Sequence, residues 1–301
     1  MAHTLHSTSP SLPSPRAVLE LLKPITWFPP MWAFGCGVVS SGQPVGSRWP
    51  LVVTGVALAG PLVCAMSQAV NDWFDRHVDA INEPHRPIPS GRIPGQWGLF
   101  IAIAWTVLSL AVAAMLGPVV VAATIVGVVL AWIYSAPPLR LKRNGWWGNA
   151  AVGISYEGLA WVTGAAVMTA GVPPWPVFIV AALYSTGAHG IMTLNDFKSI
   201  EGDRHMGLGS LPVRLGPERA GVVACVFMAV PQVVVVGLLL HWGAPIASAV
   251  VGTLLAAQIA LMAKLLADPK GRAPWYNGTG VTLFVLGMMV TAVALRGLPG
   301  A

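Results

Sequence analysis

Seven of the chain's 11 carboxylates fall in two short segments, "NDWFDRHVDAINEPHRPIPSG" (71–91) and "NDFKSIEGDRHMGLGSLPVRLG" (195–216). At about 100° per helical residue, and with Asp72 as zero, Asp75 falls at about 300° and Asp79 at about 340°. The three carboxylates therefore share one stripe if a helix continues past the preceding apolar run. Gln68 and Glu83 extend that stripe, and Asn71 lies beside it. Like charges at this spacing repel, so the arrangement costs stability unless a cation occupies it. Hard oxygen ligands of this kind suit Mg2+, which binds through one or two carboxylates together with substrate phosphates. A solvated, well-capped helix end is the alternative for one such motif. It explains two less well. Asp196 and Asp203 are again two turns apart on one stripe, with His189 below them; Lys198 and Glu201 lie on the opposite face unless Gly202 breaks the helix. The pair of clusters points to a two-sided site for a metal ion and a diphosphate.

A third element, "YSAPPLRLKRNGWWGN", runs from Tyr134 to Asn149. Its two prolines end a helix, and Arg140, Lys142 and Arg143 follow at once. Together with Arg86, Lys198 and Arg204 they offer cationic contacts to a diphosphate, although basic residues belong on cytoplasmic loops in any case. Glu157 is the one acid deep within an apolar run. Intramembrane acids are costly and usually functional; a neutral glutamic acid hydrogen-bonded inside a bundle is the alternative. His77, His85, His189 and His205 flank the acidic segments without metal-ligand spacing, and Cys36, Cys64 and Cys225 sit in apolar runs as packing thiols.

The elements that must position these groups are apolar helices. Hydrophobic residues make up 55% of the 301 and charged residues only 9%, against about 25% charged in soluble domains. Nine runs are expected to cross a bilayer: 25–41, 50–70, 97–116, 118–136, 149–171, 174–194, 219–240, 245–267 and 277–296. The reading is an all-α integral membrane protein, a bundle of nine transmembrane helices. It is organised as one polytopic domain over 16–301 behind a polar, Pro/Ser-rich, disordered tail over 1–15 that lacks the order of a signal peptide. Arg16–Leu22 reads as a short interfacial helix. Of 17 Lys and Arg residues, only Arg48 and Arg296 fall on the side of the short, neutral connections. The positive-inside rule then places the N-terminus and the acidic segments in the cytoplasm. The same asymmetry accounts for the net charge of +6 without a nucleic-acid partner.

These motifs resemble those of the UbiA superfamily of intramembrane prenyltransferases, whose first motif reads N-D-x-x-D-x-x-x-D. "INEPHRPIPSG", "YSAPPLRLK", "KPITWFPPMWAFGCGVVSSG" and the second acidic segment are similar to those of its chlorophyll synthase branch. The resemblance extends from about Leu21 to the last run. It implies a UbiA-type fold, Mg2+ held by Asn71, Asp72, Asp75, Asp79, Asp196 and Asp203, and Asn195 in the catalytic set. It also implies diphosphate contacts from Arg86, Tyr134, Arg140, Lys142, Lys198 and Arg204. One position departs from the superfamily pattern: Ser199 stands where a second D-x-x-x-D motif needs an acid, so ligation there rests on Asp196 and Asp203, helped by Asn195 or Glu201. The implied reaction moves a geranylgeranyl or phytyl group from its diphosphate to the propionate of bacteriochlorophyllide a, in the cytoplasmic or photosynthetic membrane of a bacterium. Alternatives are another UbiA-type acceptor (chlorophyll, farnesyl-chlorin, quinone or haem type), a pigment-binding scaffold, or a cation-coupled transporter. Transporters place ion sites near the bilayer midplane, whereas here the acids gather at the ends of runs.

Overall fold

Ser14 opens the first helix. Its hydroxyl accepts from the Ala17 amide at 3.3 Å, and Pro15 occupies the first turn, where no N–H is needed. The structure, a computed structural model, describes residues 12–297. The expected disordered tail therefore lies largely outside the described residues, and helix α1 (Pro15–Leu22) realises the short helix expected from Arg16. Ala17, Leu21 and Leu22 face inward while Leu19 faces out.

Lys23, in the left-handed region at φ 47°, turns the chain into a single 3₁₀ turn, Pro24–Thr26. Helix α2 (Phe28–Ser40) follows, with Pro29 and Pro30 in its first turn. Eight further helices among the described residues are long and apolar enough to cross a membrane. They are α3 (Trp49–Asn82), α4 (Trp97–Leu116), α5 (Pro118–Ser135), α6 (Gly145–Thr169), α7 (Trp175–His205), α8 (Pro217–His241), α9 (Pro245–Leu266) and α10 (Pro269–Leu295). Eight of the nine expected spans meet that length. The first run becomes α2, whose 13 residues reach only about 20 Å at the helical rise, because the Lys23 turn and the prolines consume its start.

Several helices outgrow their apolar runs on the charged side. α3 continues 12 residues past the expected end at 70, and α7 continues past 194, so each carries an acidic tip. α10 starts earlier than expected because the Asp268 side chain caps it, accepting from the Gly271 amide at 3.0 Å. Two helices widen into π-helical stretches: α3 over Leu58–Cys64, which contains Pro61, and α6 over Ile154–Leu159. Proline withholds an N–H from the ladder, a recognised cause of such local rearrangement. Trp105 from α4 donates to the Pro61 carbonyl at 3.0 Å.

Between helices in hydrocarbon, close contact and hydrogen bonding replace the hydrophobic effect. α2 and α6 meet through glycines in both directions. A Cβ on Gly37 would lie 2.0 Å from the Trp161 carbonyl oxygen, and one on Gly164 would lie 2.1 Å from that of Phe34. Next to this seam Trp161 stacks on Tyr184 at 5.6 Å, and Tyr184 meets Phe284 edge-on at 5.3 Å, joining α6, α7 and α10. The Tyr184 hydroxyl pairs with Thr291 at 2.8 Å. Gln232 of α8 and Gln258 of α9 exchange amide hydrogen bonds of 3.1 and 3.0 Å, fully buried. The outward faces carry Val107, Ile125, Val129, Val233 and Ile259, as a lipid-facing surface requires.

Candidate functional site

Because α3 runs unbroken to Asn82, the first stripe forms as expected: Asp72 is 1% exposed, Asp79 6%, and Asp75 is half-buried. Basic residues from three places answer its self-repulsion. Lys23 Nζ donates to Asp72 Oδ1 at 2.6 Å. Arg86 donates to Asp79 Oδ2 at 2.8 Å and stands 3.6 Å from Asp72 Oδ1. Arg140 donates to Asp75 Oδ1 at 3.0 Å, and Lys142 takes the other Asp75 oxygen. Burial works against the Arg86 charge, but Asp72 and Asp79 outweigh it and raise its pKa above the ordinary value. For Lys142 burial wins: its pKa falls below the ordinary value despite the pull of Asp75. Asn71 donates to Ser135 at 3.2 Å, tying α3 to the end of α5. Two members of the expected stripe part company. Gln68 turns to Tyr156, donating at 3.1 Å, whereas Glu83 leaves the helix and faces His85 at 3.3 Å on the exposed rim.

The second tip is built differently from the expected continuous stripe. Phe197–Ser199 tightens into a 3₁₀ turn before helix resumes at Ile200, so the break falls there and not at Gly202. The Asn149 amide holds Asp196 Oδ2 at 3.1 Å and Thr193 Oγ1 at 3.2 Å. Asn277, from the start of α10, donates to Asn195 Oδ1 at 2.9 Å. Ser199 donates to Asp203 Oδ2 at 3.2 Å, so the residue that replaces the expected acid buttresses the neighbouring one. Glu201 pairs with Lys270 at the surface and so faces away from Asp196 and Asp203. Lys198 and Arg204 are exposed and form no ion pair among the described residues.

Three links hold the tips and the basic loop together. The Gly145 amide donates to the Gly209 carbonyl at 2.8 Å, and the Gly209 amide to the Arg143 carbonyl at 2.9 Å. Asn82 at the end of the first tip donates to Met206 Sδ of the second at 3.4 Å. Asn71, Asn195 and Tyr134 then meet on the wall of one cavity of about 380 Å³, within the usual range for small-molecule sites. Its deeper wall is mostly apolar, with Val63, Leu130 and Ile191, and carries the polar side chains of Gln68, Tyr156 and Glu157.

Among the described residues no three His, Cys, Asp or Glu side chains close on one point as a ready-made metal cage. The donor set does fit a hard cation shared with phosphates, since that needs only one or two carboxylates. Asp72 Oδ2 is buried without a hydrogen-bond partner among the described residues, an oxygen free to ligate. Three residues of this site were not singled out from the sequence. Lys23 is the lone cation between apolar stretches in "LLKPITW", and Asn149 and Asn277 are amides at the charged ends of apolar runs; those positions are the signal that finds them.

The model of the UbiA prenyltransferase family matches residues 27–294. The chain is 62% identical over 288 residues to the bacteriochlorophyll synthase 33 kDa chain of Cereibacter sphaeroides, covering 96% of this chain and 95% of that protein. It is 45% identical to the bacteriochlorophyll synthase 34 kDa chain of Chloroflexus aurantiacus, covering 92% and 89%. Among solved structures, a UbiA homolog from Archaeoglobus fulgidus bound to GPP and Mg2+ superposes with a TM-score of 0.69 at 21% identity, covering 92% of this chain and all of that one. A digeranylgeranylglyceryl phosphate synthase structure gives 0.73 at 20% identity, covering 92% and 98%. These two likenesses establish the fold.

Proposed function

Since the chain belongs to the UbiA prenyltransferase family, we propose that it esterifies the propionate of bacteriochlorophyllide a with a geranylgeranyl or phytyl group taken from the diphosphate. The chain is an integral membrane prenyltransferase of the bacteriochlorophyll synthase type. One observation carries the chemical reading: Asn71 and Asn195, which open the two acidic tips, line one largely apolar cavity together with Tyr134, and the first tip is paired with the basic loop. A substrate with an anionic head and a hydrocarbon tail matches that polarity.

Asp72, Asp75, Asp79, Asp196 and Asp203, with Asn71, are the residues that would hold Mg2+. When bound there, Mg2+ neutralises diphosphate oxygens and makes them a better leaving group. Arg140 and Lys142 stand where a diphosphate can take their N–H groups in place of Asp75, with Lys23, Arg86 and Tyr134 beside them. Asn149, Ser199 and Asn277 fix Asp196, Asp203 and Asn195 in place. The acceptor carboxylate is already ionised near neutral pH, so its attack on the first prenyl carbon needs no general base. As the new C–O bond forms, the bond to diphosphate breaks and its electron pair leaves with the phosphate. The apolar walls keep water from the electron-poor allylic carbon.

Supporting the orientation, 15 of 17 basic residues lie on the side of the acidic tips; we place that side, with the N-terminus, in the cytoplasm of a bacterial cytoplasmic or photosynthetic membrane. We take the described chain from Arg16 onward as one polytopic domain. The test combines purified protein in detergent with Mg2+, bacteriochlorophyllide a and each diphosphate in turn, and measures esterified pigment and free diphosphate. Full activity of Asp72→Ala or Asp75→Ala at saturating Mg2+ refutes the metal assignment, and no ester from any prenyl donor refutes the function.

A further inference from the structure

Below the cavity that opens at Asn71 and Asn195 lies a second, smaller space of about 40 Å³. The two adjoin, since Pro30, Ala59, Val63, Gly127 and Ser155 line both. Leu58, Ala123 and Thr163 line only the deeper one. Three helices give a similar depth when followed down from the rim. From Asn71 to Leu58 on α3, from Tyr134 to Ala123 on α5 and from Asn149 to Thr163 on α6, the descent is about 16–21 Å at the helical rise. An extended chain advances about 3.3–3.6 Å for every three bonds, so a tail of four isoprene units, with about 16 bonds along it, reaches about 18 Å. A geranylgeranyl or phytyl tail therefore matches the depth of both spaces together. Two units would end about 9 Å down.

Gly127 stands where the spaces join, about 10 Å below Tyr134 along α5. A Cβ there would lie 3.7 Å from Leu159 Cδ1 and 3.8 Å from Val63 Cγ1. These are ordinary contact distances, so one added carbon just fits between α3, α5 and α6, and a branched side chain would fill the junction. Glycine weakens a helix interior relative to alanine, yet no neighbouring backbone atom crowds this one. The wide turns of the two other helices border the same junction. The π-helical stretch of α3 contributes Ala59 and Val63, and that of α6 contributes Ser155 and Leu159. Such stretches occur mostly at functional sites.

Ala123 lies one turn deeper than Gly127 on the same face of α5. We propose that these two residues set the length of tail the donor site accepts. Gly127 admits the tail beyond its second isoprene unit, and Ala123 leaves room for its last. This rests on the reading of the site as one for a prenyl diphosphate.

The test uses the full chain in lipid nanodiscs with Mg2+ and no acceptor. Geranyl, farnesyl and geranylgeranyl diphosphate are each titrated by calorimetry against protein-free nanodiscs. Gly127→Leu is expected to weaken geranylgeranyl diphosphate at least ~10-fold while geranyl diphosphate stays within about 2-fold. Ala123→Leu is expected to weaken geranylgeranyl diphosphate at least ~10-fold and to leave the two shorter donors within about 2-fold. The pair of variants thus gives two different cut-offs. An unchanged geranylgeranyl Kd in Gly127→Leu overturns the proposal, because the tail then leaves between helices into lipid. An equal loss for all three donors overturns it too, as a general distortion of the bundle. Should Gly127→Leu not fold, Ala123→Leu decides alone, and failure to separate geranylgeranyl from farnesyl diphosphate refutes the assignment. Wild type that binds none of the three overturns the prenyl diphosphate reading itself, a result distinct from any change in length preference.

Discussion

Lys23 and Asp72 offer the sharpest test of how the rim is held. Lys23 Nζ lies 2.6 Å from an aspartate that is 1% exposed, while Lys23 itself keeps 24% of its side chain in solvent. Removing one partner of a buried pair costs about 3–5 kcal/mol. Here Arg86 remains 3.6 Å from the same oxygen, beyond hydrogen-bond range but close enough to offset part of the stranded charge. That lowers the expected cost of Lys23→Met to about 1.5–3 kcal/mol, the range for a hydrogen bond between charged groups. Asp72→Asn keeps an acceptor oxygen and leaves Lys23 able to reach water, so about 1–2 kcal/mol is expected. The double variant should lose less than the sum, with a coupling of about 1–2 kcal/mol. The assay is equilibrium unfolding in mixed micelles with chelator present, followed by the fluorescence of the tryptophans. Effects that add to within about 0.5 kcal/mol would refute the direct pairing and with it the role of Lys23 in holding the first tip.

Other expectations follow from the same contacts. Gly37→Ala places a methyl group 2.0 Å from a carbonyl oxygen; overpacking of this kind costs about 1–3 kcal/mol, and a lower thermal midpoint with reduced prenyl transfer should report it. Asn149→Leu should cut kcat/KM by at least ~10-fold, or about 1.4 kcal/mol, because Asp196 loses its buttress. Glu201→Ala, which removes only the surface pair with Lys270, should leave activity within about 2-fold. The Glu20 carboxyl sits below its ordinary value of 4.5 because Arg92 donates to it. The folded form then binds fewer protons than the unfolded form, so this stabilisation is present above pH 4.5 and is lost as pH falls through the lowered value. Glu20→Gln should flatten the acid side of the stability profile; an unchanged profile would count against the pair.

Much of this molecule is legible in periodicity and charge. The apolar runs mark the helices, and the 3.6-residue repeat places Asp72, Asp75 and Asp79 on one face because α3 does continue to Asn82. The prolines of "YSAPPLRLK" end α5 where expected, at Ser135. Patterns fail where tertiary contacts decide. The first run is expected from 25, but after the left-handed Lys23 and a 3₁₀ turn its helix α2 begins only at Phe28. The second tip looks like a mirror of the first, yet the tight turn at Phe197–Ser199 turns Glu201 toward Lys270 and leaves Lys198 and Arg204 in solvent. Lys23, Asn149 and Asn277 act on partners 44 to 82 positions away in the chain, through side-chain contacts that no local pattern encodes. Glu157 stands out in the sequence as a deep acid, but only packing distinguishes an unpartnered carboxyl facing a cavity from one satisfied within the bundle.

The charge balance of the first tip has a consequence for the electric field at the membrane edge. Three carboxylates there face Lys23, Arg86, Arg140 and Lys142, which leaves one positive charge in excess. A prenyl diphosphate carrying one Mg2+ has one negative charge in excess. At the first tip, loading would then be an exchange of partners that ends in local neutrality, apart from Asp196 and Asp203 of the second tip. Once the diphosphate has departed, the excess positive charge returns, and with it the rim's attraction for the next anionic head.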